Sequence, residues 1–113
     1  MARLAGRKHW YAAAIRHTGR RSGKQYSTPV VAERFANGFV IPLPYGTEVD
    51  WLRNVLAAGR AAVSFQGNSY DVVHPEIIDG DAAMPLLTSW RQRTFQRFGV
   101  DRYLRVQDQS VSK

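Results

Sequence analysis

Short runs of β-branched and aromatic residues, punctuated by glycine turns, constrain the fold of this chain more than any other feature. Residues 28–35 ("TPVVAERF") are followed by Asn37-Gly38 and then by residues 39–45 ("FVIPLPY"). Asn-Gly between two such runs is a hairpin signal, because both residues tolerate the positive φ of a tight turn. Residues 61–66 and 69–78 flank Gly67-Asn68, a second hairpin. Strands joined this closely pair antiparallel. Residues 9–16 ("HWYAAAIR") read as a first strand and 102–106 as a last one. Pro42 and Pro44 lack N–H donors, which puts the third strand at a sheet edge or breaks its pairing there.

Two segments carry the helical period. Residues 50–58 ("DWLRNVLAA") place Trp51, Leu52, Val55 and Leu56 on one face, and Gly59 ends the helix. A second helix is expected from about Asp81 to Phe98, with Pro85 in its first turn and Ala83, Leu86, Leu87, Trp90, Thr94 and Phe98 along its apolar stripe. Hairpins with two or three flanking helices give an α+β class and a small antiparallel barrel. Residues 1–106 form one domain on this reading, and 107–113 a polar, flexible tail.

At 113 residues the chain has room for one core. It has no cysteine, which excludes disulfides and thiolate metal sites. No secretory pattern and no run near the roughly 18 apolar residues of a spanning helix is found, so a cytoplasmic location is expected, with peripheral membrane contact left open. The formal net charge of +7 favours anionic partners without fixing a fold.

Much of that charge sits in "HTGRRSGKQYSTP", residues 17–29. The stretch is not a phosphate-binding P-loop. Three residues, not four, separate Gly19 and Gly23, and Gln25 follows Lys24 where Ser or Thr belongs. Its physics is still that of an anion site. Glycines let successive backbone N–H groups converge into a nest, Arg20 or Arg21 can clamp a phosphate bidentately, and Lys24 adds a point charge. Ser22 and Thr28 offer hydroxyls. The same residues would also make an ordinary solvated basic turn. His9, His17 and His74 have no metal-ligand spacing and read as structural, and no acid–base pair or triad stands out.

Taken together, "HTGRRSGKQYSTPV", "GFVIPLPYG" and "DWLRNVLAAG" resemble the deazaflavin-dependent nitroreductase family of actinobacterial split β-barrel oxidoreductases. Thr18, Gly19, Arg20, Ser22, Gly23, Thr28, Pro29, Gly46, Trp51 and Asn54 carry the resemblance, which covers about residues 13–78 well. It implies coenzyme F420 as cofactor. The anionic tail would lie on Arg20, Arg21, Ser22, Gly23 and Lys24, beside Thr28 and Pro29. The ring would lie against Pro42, Leu43, Pro44, Tyr45 and Gly46, near Trp51 and Asn54. On the residues alone, Trp51 reads first as core and Asn54 as a bond to a neighbouring loop.

The cofactor would supply the difficult chemistry. Tyr45 and Tyr103 are the candidate substrate-side hydroxyls. Pro44 and Tyr45 stand where relatives often hold a small polar or basic residue, so the acceptor is open among quinones, enones and nitro compounds. The alternatives are an FMN-binding or haem-binding split barrel and a non-catalytic lipid carrier. Nucleic-acid binding through Arg91, Arg93, Arg97, Arg102 and Arg105 ranks last. A small-molecule substrate and a monomer or homodimer complete the expectation.

Overall fold

A computed structural model describes residues 13–109. The strands are β1 (Ala13–Thr18), β2 (Gln25–Val30), β3 (Glu33–Phe35), β4 (Gly38–Pro42), β5 (Arg60–Phe65), β6 (Asn68–Asp79) and β7 (Arg102–Asp108). Helix α1 (Asp50–Ala58) lies between β4 and β5; α2 (Gly80–Ala83), a 3-10 turn (Met84–Leu86) and α3 (Ser89–Arg97) lie between β6 and β7. All seven strands form one antiparallel sheet in the order β2-β1-β5-β6-β7-β4-β3.

The order dictates the shape. β2 and β3 are the two edges of the sheet, yet only Val31 and Ala32 separate them in sequence. A flat sheet would hold those edges six strand spacings apart, ~29 Å. Three Cα steps reach at most ~11 Å. The sheet therefore curls into a half-barrel, with a seam where β2 passes to β3. A break in register between Val73 and Glu76 of β6 contributes to the bend. It carries His74 at φ 58° and Pro75, a proline at a bulge where no ladder N–H is required.

The core occupies both faces of the curl. Ile15, Phe39, Ile41, Val63, Val72, Leu104 and Val106 fill the inside, capped by Leu52 and Val55 of α1. Val40, Ile78 and Tyr103 point to the other face, where Ala83, Leu87 and Phe95 cover them. Hence all five residues of β4 are buried, and its sequence is an unbroken apolar run rather than an alternation.

Several elements differ from the sequence expectation. Residues 28–35 are two strands, parted at Val31 and Ala32 by the passage between edges. β4 stops at Pro42 and is interior along Gly38 to Val40, with β7 on one side and β3 on the other. Pro42 itself lies beyond the reach of β3 and pairs only with Tyr103, so its missing N–H disrupts nothing. Pro44 starts a turn closed by the Gly46 N–H on Leu43 O at 3.1 Å. The Gly67 hairpin turns on Gln66 and Gly67, both at positive φ, and Phe65 pairs with Asn68.

The expected helix over residues 81–98 is broken. Pro85 brings no N–H to an α-ladder, the chain tightens to 3-10, and Leu87 is extended at φ −108° and ψ 149°. The break resets the phase, so Phe95 is buried while Trp90 and Phe98 face solvent at 56% and 73% exposure. β7 also runs past Val106. Gln107 pairs with Gly38, and Asp108, expected in the tail, accepts from Arg34 through both oxygens at 2.7 and 2.9 Å.

Arg34 additionally lies 4.7 Å over the Phe39 ring and 4.5 Å over Tyr70, so this ion pair ties β3 and β7 to the aromatic core. Removing its anion with Asp108→Ala should cost about 1–2 kcal/mol, read as a lower denaturation midpoint at unchanged slope.

Candidate functional site

β1 alternates inward at Ala13, Ile15 and His17. The third of these inward positions carries a polar ring, 6% exposed, at the end of the barrel. It meets Asn54 of α1, itself 5% exposed. Asn54 Oδ1 accepts two bonds from Arg20, one from its backbone N–H at 3.1 Å and one from Nη1 at 2.8 Å. With its oxygen so engaged, Asn54 turns Nδ2 to His17 Nδ1 at 3.1 Å and donates there. His17 then keeps its proton on Nε2 and donates it to Thr28 Oγ1 at 3.0 Å. Tyr26 stacks on the imidazole at 5.7 Å, and Asp50 meets Arg20 Nη2 at 3.5 Å. Burial lowers the His17 pKa from 6.5, in keeping with a neutral ring that accepts at Nδ1.

This network forms the floor of a polar cleft of about 600 Å³, whose walls include Arg20, Arg21, Ser22, Tyr26 and Ser27. A second, apolar cleft of about 460 Å³ opens at the seam of the half-barrel. Pro29, Val30 and Val31 form one side of it, and Pro42, Leu43, Pro44, Tyr45 and Gly46 the other. Thr28 and Trp51 line both clefts. Tyr45 follows Pro44 in the turn that closes at Gly46, and stands 83% exposed at the cleft.

The turn at residues 19–24 is built differently from a backbone nest. The Gly19 N–H binds Lys24 O at 2.7 Å, the Gly23 N–H binds Gly19 O at 2.9 Å, and the Lys24 N–H binds Ser22 Oγ at 3.2 Å. With the Arg20 N–H on Asn54, four amides of the turn are already used inside the protein. The Arg21 and Ser22 N–H groups have no partner among the described residues, so an anion there can meet these two amides together with the Arg21 side chain and the hydroxyls. Gly23 takes φ 74°, and a Cβ at Gly19 would come within 2.7 Å of Ser22 Oγ.

The structure thus gathers Arg20, Arg21, Ser22, Thr28, Trp51 and Asn54 at one cleft, and Thr28, Pro29, Pro42, Leu43, Pro44, Tyr45, Gly46 and Trp51 at the other. Gly23 and Lys24 line neither. Tyr103 is also elsewhere: it is fully buried in the outer core, its hydroxyl donating to Val100 O at 3.2 Å, and it is set aside as a substrate-side group. Trp51 is only half-buried and Asn54 does bond the neighbouring loop, while Leu56 turns to solvent. His17 was passed over as a site residue, although its place in the Ala13-Ile15-His17 alternation marks it as inward-facing. His74 is exposed, and His9 lies outside the described residues. Among the described residues no group of His, Cys, Asp and Glu could hold a metal ion.

No protein-family model and no curated protein matches this chain. Solved structures do match it. One described as a domain-swapped dimer aligns with a TM-score of 0.62 over 94% of this chain and 96% of its own, at 12% identity. One described as an F420 reductase aligns with a TM-score of 0.57 over 89% of this chain and 90% of its own, at 10% identity. This chain is an α+β split β-barrel. The split is the seam between β2 and the end of β4, and the apolar cleft lies in it. No helix among the described residues is long and apolar enough to cross a membrane.

Two outcomes follow for this split barrel. Arg20→Ala leaves the buried Asn54 Oδ1 short of a donor and should cost about 1–3 kcal/mol, whereas Arg21→Ala should leave the thermal midpoint unchanged. Because the folded-state pKa of His17 lies below 6.5, its contribution to stability is complete above that pH. It is lost as pH falls from 6.5 toward the lowered value, where only the unfolded chain binds the proton. Thermal midpoints followed from pH 7.5 to 5 should therefore drop more steeply in the native protein than in His17→Phe.

Proposed function

We propose that the chain is an F420-dependent oxidoreductase that passes hydride from reduced deazaflavin to a small conjugated acceptor, such as a quinone, an enone or a nitro compound. One observation carries the reading: a cation-bearing polar cleft and an apolar cleft meet at Thr28 and Trp51, the pairing that an anionic tail and a flat ring require. The shared fold with a structure described as an F420 reductase supports the same cofactor class.

The residues present fit such a group. Arg20 commits an N–H of Nη1 to Asn54 and pairs through Nη2 with Asp50, bracing the wall, so Arg21 is the less engaged cation for the tail, with the Ser22 and Ser27 hydroxyls beside it. Lys24, exposed on the same turn, adds charge from outside the cleft. Pro29, Pro42, Leu43 and Pro44 would face the ring, and prolines suit this wall because they leave no N–H unpaired against an apolar surface. When bound, the deazaflavin supplies the hydride. The apolar cleft contains no His, Asp, Glu or Cys among its lining residues, so the Tyr45 hydroxyl at its mouth is the side chain placed to hydrogen-bond or protonate the acceptor. The arginines that suggested a nucleic-acid face are partly neutralised: Arg91 pairs with Glu33 at 3.4 Å, and Arg105 with Glu76.

Fluorescence titration with oxidised F420, run beside FMN, tests the proposal. Selective binding at micromolar concentration or tighter is expected for F420, with Arg21→Ala about tenfold weaker and no less stable, as befits loss of one charge-assisted contact. Tighter binding of FMN would change the cofactor. Binding of neither would overturn the reading in favour of a carrier. Reduced F420 should then be oxidised by a quinone panel, and Tyr45→Phe should slow that turnover without weakening F420 binding.

A further inference from the structure

Every donor and acceptor in the Arg20–Asn54–His17–Thr28 chain has its direction fixed by the one before it. Arg20 has only donors, so Asn54 must present its oxygen there. The amide nitrogen then faces His17 Nδ1, so that ring nitrogen must accept. A neutral imidazole accepting at Nδ1 carries its proton on Nε2, and Nε2 lies 3.0 Å from Thr28 Oγ1. The Thr28 oxygen is therefore an acceptor on its inner side. Its own proton has no acceptor among the described residues, and Thr28 lines both clefts.

We propose that His17 is a positioning residue that occupies one lone pair of the Thr28 hydroxyl, so that its proton is free for a ligand at the junction of the polar and apolar clefts. The junction suits a ligand with an acceptor atom at that point, such as a ring carbonyl or a phosphoester oxygen. A free threonine points its hydroxyl proton in any of three directions; with one lone pair occupied by His17 Nε2–H, the proton is kept off the His17 side and is available to an acceptor in the clefts. The groups facing the imidazole are those that hold this state. Asn54 and Arg20 present the amide nitrogen, Tyr26 stacks on the ring, and Asp50 steadies Arg20. A proton added at Nδ1 would point at the Asn54 amide protons and break the chain at its centre.

The ligand half of this proposal rests on the flavin-type reading above, and the experiment has two arms that separate them. In the ligand-free protein, long-range ¹H–¹⁵N spectra at pH 7.5 should show His17 with Nε2 protonated and Nδ1 bare. The opposite tautomer overturns the relay, whatever the protein binds. In the second arm, oxidised F420 and FMN are titrated against a double-mutant cycle. Thr28→Val should bind the preferred flavin about tenfold more weakly, and Thr28→Ser should restore it. His17→Phe should lose a similar factor, His17→Gln should recover part of it by keeping a donor near the Nε2 position, and Thr28→Val with His17→Phe should lose little more than either alone. Additive losses would make His17 a structural residue only and overturn its positioning role. If the native protein binds neither flavin, the ligand half falls with the reading it rests on, while the tautomer still decides the relay.

Discussion

Val31 and Ala32 join opposite edges of a seven-stranded sheet, and everything else in the molecule accommodates that short link. Because two residues cannot span a flat sheet, β2 and β3 are drawn together and the sheet wraps around one apolar interior. The link itself is anchored: Ala32 is 2% exposed in the inner core, and Val31 packs against the outer one. The edges approach but do not pair, which leaves the seam that becomes the apolar cleft. The same curl aligns β1 and β2 with the N-terminal end of α1, where the polar cleft forms.

The polar network is the counterpart of the seam on the neighbouring wall. It binds a loop, a helix and two strands through groups more than ten residues apart in sequence, and it leaves no internal choice of hydrogen-bond direction. Such a network is costly if half made and rigid if complete, since each buried polar atom depends on the next. Arg20 is its origin. That explains why an arginine in an exposed basic turn contributes to the architecture, while its neighbour Arg21 lines the cleft without joining the network.

The hairpins, α1 with its Gly59 stop, and the α+β class were legible in the sequence because each depends on neighbours a few residues apart. So was the wall of the apolar cleft, since the Pro42 to Gly46 run is unusual wherever it is placed. The helix over residues 81–98 misled because periodicity carries no phase across a break. Trp90 and Phe98 looked internal, but Leu87 resets the rotation and Phe95 takes the buried place. The turn at residues 19–24 was legible only in part, for a related reason. Glycines show that amides can converge, but not which of them the protein will use: those of Gly19, Arg20, Gly23 and Lys24 are bonded, and those of Arg21 and Ser22 have no partner among the described residues.

By itself the sequence determined local structure and chemical inventory: antiparallel hairpins, one clean helix, a cationic turn with hydroxyls, and no cysteine. Backbone preference and spacing are properties of adjacent residues, so they survive without a fold. Only the tertiary structure decided that Tyr103 is core, that Asp108 completes a clamp instead of trailing off, and that Arg20 bonds Asn54. Only it brought His17 between Asn54 and Thr28. Those outcomes depend on contacts between residues distant in sequence, and it was the closure of the sheet that set the distances.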